Sequence, residues 1–294
     1  MSRHARIRAR AAARFTPAGA VLQTLNLVSF DPLRTLDIPG VHPLKPEAWF
    51  RAKERVRAAD WVLFPEYWQV NALAYGWKKR IFPSLASYHV GHDKIEMTRA
   101  FEAVCPAHVP QTLILPATPA AAEEVLDTFA FPFVAKSPRS SMGQGVWRID
   151  SRAGWRAYAA GRDLYYVQEY LPLSRDLRVV WIGDRVLTAY WREAPPGGFH
   201  HNVARGGRVV FADVPDAALA LVASVARELG VDHAGFDVAW LDGHAWLLEF
   251  NVRFGTEALG RCGLGTGPAI LAWLRRARSS PPRRPRGPRL RRTG

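Results

Sequence analysis

Residues 235–251, GFDVAWLDGHAWLLEFN, decide the fold. Two apolar segments flank Asp242-Gly243-His244, and this pattern predicts a β-hairpin around these three residues. Each segment contains one carboxylate, Asp237 in the first and Glu249 in the second. A charge inside an apolar strand costs free energy unless it is paired or bound to a metal. The hairpin is therefore the first candidate for a functional site.

The spacing of the hairpin predicts which side chains share a face. Glu249 and Asn251 are two residues apart on a strand and therefore point to the same side. A three-residue loop that pairs Leu241 with Ala245 places Asp237 opposite Glu249, whereas a two-residue turn places them on opposite faces. With the three-residue loop, Asp237, Glu249 and Asn251 form an oxygen-rich set that suits Mg²⁺. A buried ion pair or a capped polar cluster is the alternative.

Upstream of the hairpin, a lysine ends an apolar strand. Lys136 follows FPFVA and precedes the polar loop SPRSSMGQ. A lysine at the end of a buried strand must reach water or an anion. The loop contains small residues whose backbone N–H groups are able to surround a phosphate, namely Ser140, Ser141, Gly143 and Gly145. The alternative is a surface lysine beside an ordinary hairpin loop.

A third group of polar residues lies where a later strand leaves the sheet: Gln168, Glu169, Tyr170, Asp176 and Arg178. Backbone groups exposed at such a point can read an adenine edge, although the signal is weak by itself.

Two further arginines are candidates for binding an anion. Arg192 ends an apolar strand, and Arg205 follows Asn202 closely. A guanidinium in this region would clamp phosphate or carboxylate oxygens. On spacing alone, a solvated surface arginine is the better interpretation of either.

The hydrophobic pattern predicts a small α/β lobe followed by a strand-rich α+β body. The predicted strands are 21–29, 61–64, 112–115, 131–136, 145–150, 163–171, 176–183, 185–192 and the two strands of the hairpin. The predicted helices are 46–60, 66–79, 92–104, 118–128, 215–229 and 267–277. Neither GxxxxGK[ST] nor a helix-opening GxGxxG occurs, so a nucleotide would need another binding device.

The net charge of +14 belongs to the two ends of the chain. Residues 1–14 contain five Arg and residues 275–294 contain nine, with no acid in either, so residues 15–274 are formally neutral. We interpret the ends as solvated tails, with polyanion binding as the alternative. Two cysteines without metal spacing indicate a reducing compartment. No apolar run approaches the roughly 20 residues of a membrane span.

Taken together, these motifs resemble the ATP-grasp superfamily and, within it, the RimK-like carboxylate–amine (alpha-L-glutamate) ligases. The similarity covers about residues 92–265 and depends on the order of the motifs. These are Asp93-Lys94, PFVAK-x6-GQGV, VQEYL, Asp176-Leu-Arg178, HNVARGG and GFDV…LLEFN.

The resemblance implies a role for each motif. Lys94 and Lys136 would contact the phosphates of ATP beneath the glycine loop. Gln168, Glu169 and Tyr170 belong to the adenine-contacting linker, and Asp176 would contact the ribose. The remaining implied roles are phosphate and acyl-intermediate contacts for Asn202 and Arg205, and two Mg²⁺ (or Mn²⁺) ions for Asp237, Glu249 and Asn251.

This chain departs from the family pattern at two places. His200 stands where the family usually has an arginine, two residues before Asn202. The family ending Asn-x-x-Pro-Gly is Asn251-Val-Arg-Phe-Gly255 here, which leaves Arg253 available for a substrate carboxylate. Arg178 and Arg192 are further candidates for contacting substrate.

The predicted organisation has four parts. Residues 1–20 are a basic lead and 279–294 an Arg/Pro tail, both expected to be disordered. Residues 21–91 form the small lobe, and 92–278 form an ATP-grasp domain with a mobile lobe at about 110–167 and a metal-site lobe at about 168–278.

The resemblance implies a cytoplasmic ligase that uses ATP and forms a C–N bond between a carboxylate and an amine. The carboxylate would be an amino acid or another acid, and the acceptor a small molecule, a peptide or a protein tail. No membrane contact is expected, nucleic acid is expected only through the arginine tails, and an oligomer stays open. The alternatives are an ATP-binding protein without ligase activity and a polyanion-binding protein.

Overall fold

A computed structural model of the protein describes residues 24–139, 145–193 and 208–278. The predicted lead at 1–20 and the tail at 279–294 lie outside these ranges. Thirteen strands occur in the described residues: Leu27–Ser29 (β1), Val41–Pro43 (β2), Trp61–Leu63 (β3), Ile81–Phe82 (β4), Thr112–Pro116 (β5), Phe133–Lys136 (β6), Val146–Ile149 (β7), Leu164–Glu169 (β8), Arg175–Ile182 (β9), Arg185–Glu193 (β10), Arg208–Val210 (β11), His233–Leu241 (β12) and His244–Asn251 (β13).

Nine α-helices occur in the same ranges: Lys53–Ala58 (α1), Tyr67–Asn71 (α2), Leu85–Val90 (α3), Lys94–Val104 (α4), Pro119–Thr128 (α5), Arg152–Ala159 (α6), Asp216–Leu229 (α7), Glu257–Arg261 (α8) and Gly267–Arg278 (α9). None of these helices is long and apolar enough to cross a membrane.

The first four strands form a parallel sheet in the order β2-β1-β3-β4. Parallel neighbours need crossover connections, and α1 and α2 lie in two of them. One face of this sheet packs against its own helices through residues such as Val28 and Val62. The other face presents Leu27 and Leu63 to a core that also contains Ile270 of α9. The small lobe therefore shares a core with the C-terminal part of the chain.

A second sheet, β5-β8-β6-β7, is antiparallel. Its core contains Phe133, Trp155 and Val167, and α5 and α6 contribute to it. Thr118 caps α5 by accepting a hydrogen bond from the backbone of Ala121, as its position before Pro119 predicts. Lys136 is the last residue of β6, which is one of the two inner strands of this sheet.

The third sheet, β11-β10-β9-β12-β13, is also antiparallel and holds the quoted hairpin at one edge. Alternate residues of a strand point to opposite faces. Leu177, Val179 and Trp181 of β9 therefore pack with α4 and α7. Val180 and Ile182 face the small lobe and α9 instead. Asp176 and Arg178 have the same parity as Val180, so the polar residues of β9 lie on that second face.

The prediction of a three-residue hairpin loop is wrong, although Asp237 does pair with Glu249. Leu241 pairs with His244 across the two-residue turn Asp242-Gly243. Both turn residues have positive φ, 50° and 77°, which is the conformation of a tight hairpin turn. The register then shifts beside Asp237, where β13 carries one additional residue. This β-bulge restores the face-sharing pair that a regular ladder from the same turn would have separated.

The predicted helix 46–60 is the other clear difference. The segment contains a 3₁₀ turn at Pro46–Ala48 and the helix Lys53–Ala58, with a break between them. Trp49 lies at the break and is buried, with its ring 5.0 Å from that of Trp77. Tertiary packing of an aromatic side chain thus overrides helix periodicity here. The helices α3, α6 and α8 and the short strands β2, β4 and β11 were not predicted.

Candidate active site

One row of residues crosses four strands of the third sheet. Asp237 of β12 pairs with Glu249 of β13 on one side and with Arg178 of β9 on the other. Arg178 in turn pairs with Tyr190 of β10. Because directly paired residues share a face, the two carboxylates and the guanidinium are adjacent by register. The row lies on the face that carries the other polar residues of β9.

Asp237 is enclosed by two guanidinium groups. Arg178 donates from Nε to Asp237 Oδ1 at 2.6 Å and from Nη2 to Oδ2 at 3.1 Å. Arg192 Nη2 lies 3.0 Å from the same Oδ1. Arg192 also forms a bidentate pair with Asp176 at 2.7 and 2.6 Å. All four side chains are buried, so removing one partner would leave an uncompensated charge.

Glu249 has a different partner, the ammonium group of Lys94. Lys94 Nζ lies 2.8 Å from Glu249 Oε2, and Asn251 Nδ2 donates to Glu249 Oε1 at 3.2 Å. Burial by itself would raise the pKa of Glu249, but Lys94 and Lys136 outweigh it and lower that pKa to about 2. The carboxylate is therefore ionised at neutral pH and ready for a cation.

Lys136 projects from the second sheet into the same region. Its ammonium donates to Gln168 Oε1 at 2.6 Å and lies 5.6 Å from the ring centroid of Tyr166. Gln168 is itself held by Thr112, to which its Nε2 donates at 2.9 Å. Burial lowers the pKa of Lys136 to about 8, with Glu249 opposing this shift and Lys94 adding to it. The two lysines and the carboxylate therefore form one electrostatic group.

The start of α4 positions Lys94. Asp93 is the N-cap residue, and its Oδ1 accepts from the backbone N–H of Ile95 at 2.8 Å. The backbone N–H of Lys94 donates to Pro138 O at 3.1 Å, and Arg139 Nε lies 3.3 Å from Asp93 Oδ2. Pro138 and Arg139 directly follow β6, so the beginning of the glycine loop is tied to the helix that carries Lys94.

A cavity of about 300 Å³ opens beside these groups. Its wall consists of Gly91, His92, Lys94, Met97, Pro138, Arg139, Phe250 and Asn251. The N-terminal end of α4, the stem of the loop and the end of β13 therefore meet around one space. This cavity is large enough for part of a nucleotide or a small carboxylate.

Gly235 makes the close approach of Arg178 sterically allowed. A Cβ atom at residue 235 would lie 2.6 Å from Arg178 Nη1 and 2.9 Å from Phe254 Cβ. Real Cβ atoms do not come so close, so any side chain here would displace the guanidinium. A glycine inside a strand is a known sign of such an approach, and this signal was available in the sequence. The supporting residues Tyr166 and Arg139 have no comparable signal.

Several predicted site residues are engaged within the protein. Asp176, the predicted ribose contact, has both carboxylate oxygens on Arg192. The backbone N–H of Glu169 donates to Gln111 O at 2.9 Å, which leaves it unavailable to adenine. The ring of Tyr170 is covered by Arg148 at 4.9 Å. Gly145 is described and buried. Ser141, Gly143, Asn202 and Arg205 lie outside the described residues.

Arg253 differs from its prediction. It was predicted to be available for a substrate carboxylate, but Arg253 Nη1 lies 2.9 Å from Glu66. Its Nη2 donates to the backbone oxygens of Phe64 and Pro65. The end of β13 passes beside the small lobe, and this contact joins the two parts.

The predicted metal ligands differ in how well they fit a divalent cation. Glu249 and Asn251 offer hard oxygens beside the cavity, and Lys94 currently supplies the positive charge there. Asp237 already accepts three hydrogen bonds, which leaves about one acceptor position on Oδ2. No cluster of three His, Cys, Asp or Glu side chains suited to a metal occurs in the described ranges. The three predicted ligands therefore fit a divalent cation mainly through Glu249 and Asn251, and Asp237 is able to add one oxygen.

Solved structures with the same architecture define the class. A RimK domain ATP-grasp protein from Sphaerobacter thermophilus superposes with a TM-score of 0.62 at 14% identity, over 84% of this chain and 98% of that chain. A D-alanine–D-alanine ligase from Bacillus anthracis, complexed with ATP, gives 0.63 at 12% identity, over 87% and 98%. Two antiparallel sheets with lysines and carboxylates between them, preceded by a small parallel lobe, make this an ATP-grasp fold, and the predicted fold class is confirmed.

The family follows from the sequence. The profile of the RimK-like ATP-grasp domain matches residues 96–274, more than half of the chain. This protein belongs to the RimK-like ATP-grasp family.

The alignments with curated relatives cover only part of either chain. A probable alpha-L-glutamate ligase from Xanthomonas oryzae pv. oryzae is 33% identical over 150 residues, 49% of this chain and 51% of the relative. A ribosomal protein bS6–L-glutamate ligase from Escherichia fergusonii is 29% identical over 152 residues, again 49% and 51%. The chain thus spans about half the length of the curated relatives it matches.

Proposed function

We propose that this protein is an ATP-dependent carboxylate–amine ligase that forms an amide or peptide bond through an acyl phosphate. The observation that carries the proposal is that Lys94 and Lys136 lie close to Glu249, and that Lys94 and Asn251 line one cavity. Two cations that are largely withdrawn from water suit a polyphosphate. An ionised carboxylate and an amide oxygen next to them suit the divalent cation that accompanies it.

The relatives support this class of reaction. One relative is named a probable alpha-L-glutamate ligase, and the other is named a ribosomal protein bS6–L-glutamate ligase. A structural neighbour that forms a bond between two amino acids was solved with ATP. We extend these properties to this chain as an expectation about the reaction, with an amino acid or another carboxylate as the donor. The acceptor amine belongs to a small molecule, a peptide or a protein tail.

The proposed chemistry has two steps. A carboxylate oxygen of the substrate attacks the γ-phosphorus of ATP, the bond to the β-phosphate oxygen breaks, and ADP leaves. The amine nitrogen then attacks the acyl carbon, the C–O bond to phosphate breaks, and the amine loses a proton as the amide forms. Both steps concentrate negative charge on phosphate oxygens, so fixed cations accelerate them more than they stabilise the bound substrates.

Residues of this chain have separate roles in the proposal. Lys136, held by Gln168, and Lys94, held at the start of α4, bind phosphate oxygens. Glu249 and Asn251 hold Mg²⁺ or Mn²⁺, with one oxygen from Asp237. The bound ion would neutralise charge on the transferring phosphoryl group. Arg178 and Arg192 hold Asp237 in position, and their charges oppose the rise that burial causes in the pKa of this carboxylate.

The experiment measures ADP release by the full chain with ATP, MgCl₂, each amino acid as the donor and pooled amines or peptides as acceptors. Mass spectrometry then identifies the condensation product. Glu249→Gln removes the charge of a ligand and should lower turnover at least about a hundredfold. Glu228→Gln, an exposed carboxylate on α7, is the matched control and should keep full turnover.

Full turnover of Glu249→Gln would refute the site. ATP binding without any donor-dependent ADP release, across donors and acceptors, would instead indicate an ATP-binding protein without ligase activity. A location in the cytoplasm, where ATP is available, is part of the same proposal.

A further inference from the structure

An aromatic cluster is exposed on the small lobe and shares no residue with the candidate active site. The rings of Trp49 and Phe50 are 4.4 Å apart, Phe50 and Trp77 are 6.0 Å apart, and Trp49 and Trp68 are 5.9 Å apart. Only Trp49 is buried, whereas Phe50 is 63% exposed and Trp68 is 58% exposed. An exposed large aromatic side chain costs solvation free energy, so a contiguous group of them marks a contact surface. We call these four residues the aromatic patch.

Cations are frequent in the segment that contains Trp49 and Phe50. Residues 45–58 contain five of them, Lys45, Arg51, Lys53, Arg55 and Arg57, with only two carboxylates, Glu47 and Glu54. All five side chains are exposed. The body of the chain is neutral in sum, whereas this segment has a formal charge of +3, from five cations and two carboxylates.

Two contacts hold the cations beside the rings. The guanidinium of Arg57 lies 5.1 Å from the ring centroid of Trp77. Lys79 donates to Arg57 O at 2.8 Å, which ties the segment after Trp77 to the end of α1. The cationic segment and the aromatic patch are therefore one continuous surface.

We infer that this surface binds single-stranded nucleic acid, with bases stacked on the aromatic patch and phosphates on the cations of α1. Sequence-tolerant single-strand sites combine these two components. An acidic polypeptide would use the cations and leave flat ring faces uncovered. An apolar protein surface would cover the rings and bury the cations without partners.

The chain's own ends are poor occupants of this surface. Residues 1–23 contain five Arg and residues 279–294 contain six, with no acid in either segment. Like charge therefore opposes their binding to a cationic surface. The inference is independent of the proposed ligase reaction, because the aromatic patch shares no residue with the candidate active site.

Fluorescence anisotropy with a fluorescein-labelled 20-nucleotide single-stranded RNA of mixed sequence tests the inference on the full chain. Trp68→Leu keeps an apolar side chain but removes the ring, so affinity should fall at least about fivefold, the loss of one base stack. Phe50→Leu should act in the same direction. Phe131→Leu, an exposed aromatic residue of the second sheet's lobe, is the matched control and should bind like wild type.

The salt dependence tests the cations separately. The double variant Arg51→Glu, Arg55→Glu should reduce the slope of log affinity against log salt by about 1.4, because each lost phosphate contact contributes about 0.7 for a single strand. The double variant Arg152→Glu, Arg156→Glu on α6 changes the charge equally at a distant exposed site. All variants keep both arginine-rich ends, so the contribution of these ends is constant in the comparison.

Three results would overturn the inference. The first is equal RNA affinity of wild type, Trp68→Leu and Phe50→Leu, each shown to be folded by its thermal transition. The second is equally tight, equally Trp68-dependent binding of a labelled 20-residue polyglutamate, which would assign the surface to an acidic polypeptide. The third is a dimer of the wild type that Trp68→Leu dissociates, measured by light scattering after size exclusion, which would assign the surface to self-association.

Discussion

Asp237 illustrates at the scale of single residues how a buried charge acquires its partners. Its carboxylate accepts from Arg178 at 2.6 and 3.1 Å and lies 3.0 Å from Arg192. Its cross-strand neighbour Glu249 is instead paired with Lys94 at 2.8 Å. The three carboxylates in this region, Asp176 included, thus face two arginines and two lysines. The region is slightly cationic before any ligand binds, which favours phosphate.

This charge balance predicts weak binding of a metal ion without nucleotide. Lys94 competes with the ion for Glu249, and such a pair is worth a few kcal/mol at an effective dielectric constant of about 20. Lys94→Met should therefore bind Mn²⁺ at least about tenfold more tightly than wild type in the absence of ATP. Titration calorimetry measures both dissociation constants. The double variant Lys94→Met, Glu249→Gln is the control, because it also removes the ligand. If it binds Mn²⁺ as tightly as Lys94→Met does, the ion binds elsewhere.

Gly235→Ala is predicted to disturb the same group by steric overlap. Its Cβ would lie 2.6 Å from Arg178 Nη1, so the guanidinium must leave Asp237 or the strand must move. We expect a loss of about 2 kcal/mol in the free energy of unfolding, measured with urea. Adding Arg178→Lys removes the nearest clashing atom, Nη1, but leaves Phe254 Cβ at 2.9 Å, so it should recover only part of the loss.

Gly260→Ala provides the matched glycine control for that measurement. A Cβ at residue 260 of α8 would meet no atom within 4 Å. Alanine should therefore stabilise the helix by about 0.5–1 kcal/mol. A loss of stability in Gly260→Ala equal to that of Gly235→Ala would contradict the steric interpretation.

At the scale of elements, α4 connects the loop stem to the site. Asp93 caps the helix and also accepts from Arg139, whereas the next residue, Lys94, reaches Glu249. The helix therefore sets the position of Lys94, the proposed phosphate-binding cation, and of the chain that leaves β6.

Asp93→Ala tests this connection. Loss of the cap should lower the free energy of unfolding by about 1 kcal/mol and raise the KM for ATP, because Lys94 follows directly. Asp93→Asn keeps the capping oxygen and removes the ion pair, so its stability should stay near wild type. Urea unfolding and initial rates at varied ATP measure the two effects. Equal stability of Asp93→Ala and Asp93→Asn would show that the cap contributes nothing.

At the scale of the whole molecule, Asp232 joins three parts of the fold. It accepts from the backbone N–H of Ser84 at 2.7 Å, from the hydroxyl of Ser87 at 3.2 Å and from Trp273 Nε1 at 3.3 Å. These partners belong to the small lobe and to α9, while Asp232 itself directly precedes β12. Burial raises the pKa of Asp232 to about 6 despite the hydrogen bonds.

The pKa of the neighbouring His233 shifts in the opposite direction. Burial lowers the pKa of His233 to about 3, and its Nδ1 lies 2.8 Å from Val252 O. A folded-state pKa below the unfolded value means that stability is complete above pH 6.5 and is lost on acidification. For Asp232 the folded value is higher than the unfolded value of 3.8, so its contribution is complete below pH 3.8 and is lost as pH rises through about 6.

These opposite signs predict how stability depends on pH. Between pH 7 and pH 4, protonation of Asp232 should offset part of the loss caused by His233. Asp232→Asn cannot gain this proton, so its stability should fall relative to wild type by about 2–3 kcal/mol over that interval. Urea unfolding at pH 4, 5, 6 and 7 measures the difference. The exposed Asp163→Asn is the control, and a wild-type-like pH profile for Asp232→Asn would contradict the prediction.

The order of motifs was sufficient to predict the ATP-grasp fold, and Lys136 does lie at the end of its buried strand. The hairpin could be predicted only in part, because its loop length was wrong and the pairing of Asp237 with Glu249 survived through a bulge. A bulge is set by local twist and neighbouring strands, which leave no clear pattern in a single sequence. The ion pair of Arg253 with Glu66 could not be predicted either, because Glu66 is 187 residues away in the chain.

By itself, the sequence determined that the hairpin of residues 235–251 contains two carboxylates in apolar strands. The cost of burying a charge is local, so a charged residue in an apolar segment is visible without the fold. Only the tertiary structure decided which cation each carboxylate meets. Strand order places β9 beside β12 and α4 beside β13, and therefore assigns Arg178 to Asp237 and Lys94 to Glu249. Electrostatic pairing acts over a few ångströms in space, and a distance of that kind cannot be read from separation along the chain.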